Sequence, residues 1–313
     1  MESPILLTVD FAFKLTVGNP KHKSITLHFL NSVLADGEGA PIDDVEYLNP
    51  TVGRDAATRK LSQLDIRLRD NLGRQLNIEM QTTYTSSLAQ RLTYYAARLY
   101  TGQISSGDDY ELLRPSIGIW LLDQPMPPMR RQLHLEFGLR TRDGASLGDG
   151  LQVHLLQLPF QTADEHNVAE ASKREQWAFF LRNAHRFSAK EFARLLPDPV
   201  FQEAKGVLTM ISQDTQNRIE YEWRLKQQLD ENSLRAEALR EGREEGRQEG
   251  RQEGRLEGRQ EGRIAGELMG RITVLEQVLK LPATPHGDLE SWPLDRLAAR
   301  ADELTSLFGR GSN

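Results

Sequence analysis

The sequence predicts an α/β fold, a mixed central sheet flanked by helices, in the order helix, three strands, helix, strand. Three observations predict it. In one hairpin, Leu64, Ile66 and Leu68 alternate with Asp65, Arg67 and Arg69, and Leu76, Ile78 and Met80 alternate with Asn77, Glu79 and Gln81. Such alternation puts each apolar trio on one face of a strand. Helical periodicity appears on both sides of this hairpin, over residues 8–34 and again from Ser86 to Ser105. The run Ser116 to Leu122, with Ile117, Ile119, Trp120 and Leu121, reads as a strand buried on both faces. The helix before it permits a parallel crossover, which would be right-handed.

The elements follow in chain order. Phe11, Leu15, Ile25, Phe29 and Leu34 supply the first apolar stripe. Gly18-Asn-Pro20 interrupts it, and Pro20 can open the second piece. Asp10 and Lys14 stand four apart, so they can pair along one face, or Asp10 can cap the helix. Ile42 to Leu48 is a strand ending at Asn49-Pro50, with Glu46 a lesser metal-site candidate. Thr51 to Lys60 is a basic loop. In the helix from Ser86, Leu88, Leu92, Tyr95, Ala96, Leu99 and Tyr100 point inward. Arg91, Tyr94 and Arg98 either reach phosphates or are ordinary core and solvated residues. After Asp123, Pro125-Met-Pro-Pro128 ends the core, and Gln132–Leu139 and Leu151–Leu158 extend the sheet. Residues 164–236 read as a helical subdomain, with helices over Asn167–Arg186, Ser188–Leu196 and Pro199 to about Leu234.

The hairpin carries the chemistry. Closing it with Asn71-Leu72-Gly73, glycine in the left-handed position, makes paired positions add to about 144. Asp65 then lies near Glu79 on the polar face. Two carboxylates on adjacent strands, with the Gln81 amide beside them, suit a hard divalent cation such as Mg²⁺. The same pattern also describes an exposed polar face of an edge hairpin.

In this setting the chain resembles the PD-(D/E)XK nuclease superfamily and, more closely, its recombination-promoting nuclease and putative transposase family. The residues that carry the resemblance are Asp10-Phe-Ala-Phe-Lys14, Val45-Glu-Tyr-Leu-Asn-Pro50, Leu64-Asp-Ile66, Asn77-Ile-Glu-Met-Gln81, Arg91 to Tyr100 and Ile117 to Asp123. The resemblance covers roughly residues 5–160. It implies a restriction-endonuclease-like core over residues 1–163 and Mg²⁺ (or Mn²⁺) held by Asp65, Glu79 and the Met80 carbonyl. It also implies catalytic roles for Asp65, Glu79 and Gln81, with Asp10 as an extra ligand or orienter. The superfamily's usual Lys is Gln81 here, as in the closer family. DNA is the implied substrate.

Composition narrows the alternatives. With 313 residues the chain can bury a sizeable core. There is no Cys, hence no disulfide and no thiolate metal site, which is compatible with a reducing cytoplasm. No apolar run is long enough to span a membrane, and Met1-Glu-Ser-Pro does not read as a signal peptide. The net charge of −6 does not by itself favour nucleic acid. However, Arg54, Arg59, Lys60, Arg67, Arg69 and Arg74 crowd the hairpin. The seven histidines are scattered, without HExxH, and no Walker A, GxSxG or GxGxxG pattern occurs.

Residues 237–271 form a Glu-Gly-Arg-x repeat, with glycine at every fourth position from 242 to 270. Each interior glycine costs a helix about 1 kcal/mol against alanine. Glu and Arg fall two or six apart, so they miss the spacings that support a lone helix. Two solutions are open: a charged linker, or an oligomerisation helix whose glycines admit a partner. Residues 272–313 read as a small helical end piece. The expected function is a Mg-dependent DNA endonuclease. The alternative is a catalytically inactive, oligomeric DNA- or protein-binding chain that keeps the fold.

Overall fold

Hydrophobic alternation and helical periodicity meet in one sheet with helices on both faces. The computed structural model describes residues 4–34, 41–48, 66–82, 84–127 and 129–311. Contacts divide the chain into two units, Met1–Asn232 and Ser233–Asn313.

In the first unit, α1 (Asp10–Val17) is followed by a 3-10 turn at Pro20–His22 and by α2 (Lys23–Leu34). The break falls at Gly18-Asn-Pro20, where Pro20 opens the turn and Asn19 accepts a hydrogen bond from the Lys21 N–H. The strands β1 (Val45–Tyr47), β2 (Ile66–Asp70) and β3 (Gln75–Gln81) precede α3 (Leu88–Thr101) and β4 (Ser116–Leu122). This is the expected order of helix, three strands, helix, strand. Two further strands, β5 (His134–Gly138) and β6 (Leu151–Gln157), extend the sheet. Its strand order is β1-β2-β3-β4-β6-β5. The β3–β4 and β4–β6 pairs are parallel and the others antiparallel, so the sheet is mixed.

The hairpin turn sets the register as its loop residues dictate. The Asp70 N–H donates to the Arg74 carbonyl (3.1 Å), and Gly73 takes φ +78°. A side chain at Gly73 would be strained in that region. The buried Asp70 carboxylate braces the turn, accepting from the Leu72 and Arg74 backbone N–H groups and pairing with the Arg74 guanidinium at 2.6 Å. Ile66 faces Ile78 and Leu68 faces Leu76, so paired numbers add to 144.

One face of the sheet packs Ile66, Leu68, Leu76, Ile78 and Met80 against α1 and α2 through Phe13, Val17 and Phe29. The helices α4 (Lys173–Asn183), α5 (Ala189–Leu195), α6 (Pro199–Gln213) and the start of α7 (Thr215–Val278) join this core through Trp177, Phe180, Phe192, Phe201 and Tyr221. The helices over 164–236 thus share the core of the sheet. The sequence reading ran one helix from Pro199 to about Leu234. The chain instead breaks at Asp214, whose extended backbone and carboxylate, accepting from the Asn217 N–H, start α7 anew. The other face of the sheet packs Trp120, Leu122 and Leu155 against Leu88, Leu92 and Ala96 of α3.

In the second unit, the end of α7 packs with α8 (His286–Glu290) and α9 (Leu294–Gly311) around Ile272, Leu289, Leu297, Ala301 and Leu304. The buried Glu276 accepts from the Thr284 N–H and hydroxyl, both at 2.8 Å, and from Arg300 at 3.1 Å. The repeat is helical throughout, and a Cβ at any glycine from 242 to 270 would meet open space. Among the described residues, no helix is long and apolar enough to cross a membrane.

Candidate active site

Alternation along β3 decides which side chains share a face. Leu76, Ile78 and Met80 enter the core with α1 and α2. Asn77, Glu79 and Gln81 therefore project toward α3. On this face Arg67 of β2 stands opposite Asn77, while Gly118, Trp120 and Leu122 of β4 stand beside Asn77, Glu79 and Gln81. Asp65, the expected partner of Glu79, lies outside the described residues. The expected loop over Thr51–Lys60 lies outside them as well.

Each Glu79 carboxylate oxygen has a neighbour. The Trp120 indole N–H donates to Oε2 at 3.1 Å, and Arg91 of α3 brings Nη2 to 3.6 Å from Oε1. The Glu79 side chain keeps 24% of its exposure, so it remains reachable. The Trp120 ring lies over Gly118, where an added Cβ would overlap it. Glycine at 118 is thus what lets the indole lie flat and point its N–H at Glu79. Asn77 presents a buried amide oxygen with no hydrogen-bond partner among the described residues. The Gln81 carbonyl accepts from the N–H of Asp123, just past the end of β4 (3.1 Å). Carbonyls alternate along a strand, so that of Met80 turns the other way, toward β2.

The remaining candidates are placed elsewhere. The Asp10 carboxylate accepts from the Phe11 N–H (2.6 Å) and lies 3.7 Å from Arg224 of α7. Burial pushes its carboxyl above the ordinary range, and the Arg224 charge opposes this only in part. α1 packs on the sheet face that carries Leu76, Ile78 and Met80. Glu46, on edge strand β1, is paired with Arg69 at 3.0 Å. Tyr95, expected inward, is exposed, because the inward stripe of α3 is the narrow Leu88, Leu92, Ala96 set. Tyr94 is also exposed and packs edge-on against it.

Two contacts were missed from the sequence. Trp120 reads as an apolar strand residue, yet its N–H serves Glu79. The signal was its place in β4, since a parallel neighbour with matching alternation puts it beside Glu79. Arg91 was weighed for phosphates and not as a partner of Glu79. Its position three residues after Leu88 sets it on the flank of the buried stripe.

The donors here are hard oxygens: the Glu79 carboxylate, the Met80 carbonyl, and amides at Asn77 and Gln81. They fit a hard divalent cation better than a soft one. Among the described residues, no three His, Cys, Asp or Glu side chains gather into a metal cluster. The second carboxylate of the expected site is Asp65.

A mixed sheet between two helical layers, with Glu79 on its polar face, is compatible with a PD-(D/E)XK nuclease fold. Residues 7–238 match the family described as PD-(D/E)XK nuclease family transposase, and the chain belongs to that family. This places it among nuclease-like proteins related to mobile elements. Searches of curated proteins and of solved structures found no match.

Proposed function

We propose that the chain is a metal-dependent DNA endonuclease that hydrolyses phosphodiester bonds, acting in recombination or mobile-element movement. The observation that supports it most is Glu79, a reachable carboxylate on β3 oriented by Trp120 and facing Arg91. Asp65 and Glu79, with the Met80 carbonyl, would hold Mg²⁺ or Mn²⁺. When bound, such a cation supplies an activated water and neutralises charge on the phosphate.

The chain's own residues do the rest. Trp120 fixes the Glu79 rotamer so that one oxygen is presented. Gln81, two residues along the same face, orients water or substrate through its amide, and it has no titrating group. Asp10, beside Arg224, acts as an extra ligand or as an orienting group. DNA is gripped mainly through phosphates, so binding weakens as salt rises. The repeat at 237–271 supplies a homo-oligomeric contact.

Metal-dependent thermal stability tests this reading. Mg²⁺ or Mn²⁺ should raise the melting temperature of the full chain, because a ligand that binds the native state stabilises it. Glu79→Ala should abolish the rise. Equal stabilisation of the wild type and Glu79→Ala would contradict the proposed site.

A further inference from the structure

Arg91 stands where it can serve either Glu79 or a substrate. α3 is anchored by Leu88, Leu92 and Ala96, and Arg91 sits beside that stripe with 41% of its side chain exposed. Its 3.6 Å approach to Glu79 Oε1 is longer than a hydrogen bond. The pair is therefore a loose electrostatic contact that a competing cation can displace. Asn77, Gln81 and Trp120 on this face carry no charge, and Arg67 stands one step back along β3, opposite Asn77.

Attack on a phosphodiester adds negative charge to its non-bridging oxygens. A guanidinium offers two parallel N–H groups that match two such oxygens. A divalent cation on Glu79 would take up the charge that holds Arg91 and repel the guanidinium at this separation.

We propose that Arg91 is a two-position residue of this site: it neutralises Glu79 before metal arrives, then contacts the scissile phosphate once the cation occupies the carboxylate. This rests on the nuclease reading above. Arg91 and the cation thus compete for Glu79 but act together on DNA. Metal binding and cleavage should respond oppositely to loss of the guanidinium. A purely structural arginine would move both in one direction or neither.

The test uses the full chain as wild type, Arg91→Ala, Arg91→Lys and Arg91→Ala/Gln81→Lys. Mn²⁺ affinity is measured by titration calorimetry, and single-turnover cleavage is measured on plasmid DNA. Arg91→Ala should bind Mn²⁺ more tightly than the wild type and cleave on the order of 100-fold more slowly. Arg91→Lys, which keeps the charge but not the fork, should cleave at a rate between the two. Adding Gln81→Lys, which restores a cation on the same face, should recover on the order of tenfold.

Wild-type cleavage by Arg91→Ala, unchanged or weakened Mn²⁺ binding in that variant, or no recovery in the double variant would overturn the proposal. A wild type that neither binds Mn²⁺ nor cleaves would instead remove the nuclease reading, and this inference with it. A wild type that binds Mn²⁺ without cleaving would likewise remove the nuclease reading, and this inference with it.

Discussion

Among the described residues, a neutral indole orients the Glu79 carboxylate and a cation, Arg91, stands beside it. The indole depends on Gly118. Gly118→Ala would force the Trp120 ring aside, at a cost of about 1–3 kcal/mol for overpacking. It should lower both the melting temperature and the metal response of Glu79. His28 makes a different residue-level prediction. Its Nδ1 accepts from the Trp177 indole at 2.8 Å, and its Nε2 lies 3.2 Å from Asp198, tying α2 to the helices that follow the sheet. Burial lowers its pKa below the ordinary 6.5, with Asp198 opposing. A depressed histidine pKa means the unfolded chain takes up the proton more readily. Stability is thus full above pH 6.5 and falls as pH drops below it. His28→Gln, which can keep an acceptor and a donor in those places, should flatten the melting-temperature profile between about pH 7 and pH 5 relative to the wild type.

The hairpin shows how much an element can reveal before its structure is known. Its turn residues and its alternation agree, and together they gave both the register and the face of Glu79. Helix boundaries were less legible. Asp214 breaks α6 from α7 by capping, without a Gly or Pro to mark the break, so apolar periodicity ran through it. Tyr95 was misplaced because a helix stripe of Leu88, Leu92 and Ala96 leaves no room for a second inward row. In the repeat, the ion pairs found lie where its period slips. Arg247 meets Glu244 at 2.7 Å, where Glu stands for Gln, and Arg263 meets Glu267 at 3.9 Å past the last regular unit. Regular units lack that support, so a peptide of residues 237–271 alone should show little helical circular dichroism at low concentration. Alanine at Gly250, Gly254 and Gly258 discriminates the two readings of the repeat. If those glycines face only water, each alanine adds about 1 kcal/mol of helix stability and leaves the assembly state unchanged. If they seat a second copy, as proposed, sedimentation should show the oligomer lost.

For the whole molecule, the order of elements along the chain and the mixed sheet were legible because both follow from alternation, a crossover helix and an apolar run. The site was legible only where one element carries it. Glu79 and Gln81 share a strand, whereas the contacts from Trp120, Arg91 and Arg224 come from elements far apart in sequence, and no local pattern reports them. The same logic explains Asp10. Its helix-start position was evident, but its partner lies 214 residues away on α7. In the second unit, Glu276 is buried with Thr284 and Arg300 around it. Burial alone would raise its pKa, but these hydrogen bonds outweigh that and hold the carboxyl below the ordinary 4.5. Stability from this group is present above that pH and is lost as pH falls through the depressed value. Glu276→Ala should cost the unit about 1–3 kcal/mol by leaving the Thr284 N–H and hydroxyl without their acceptor, while Arg300 keeps Glu303 as its remaining partner. The melting transition of the full chain should register this as a lowered or split midpoint.

The central claim is that one metal-bearing face of the sheet cuts DNA. Cleavage of supercoiled plasmid tests it most directly, with Mg²⁺, with EDTA, and with the Asp65→Ala and Glu79→Ala proteins. Nicking or linearisation that requires Mg²⁺ and disappears in both variants is the predicted result. Cleavage that persists in both variants, or no cleavage by a wild-type protein that binds the metal, would contradict it.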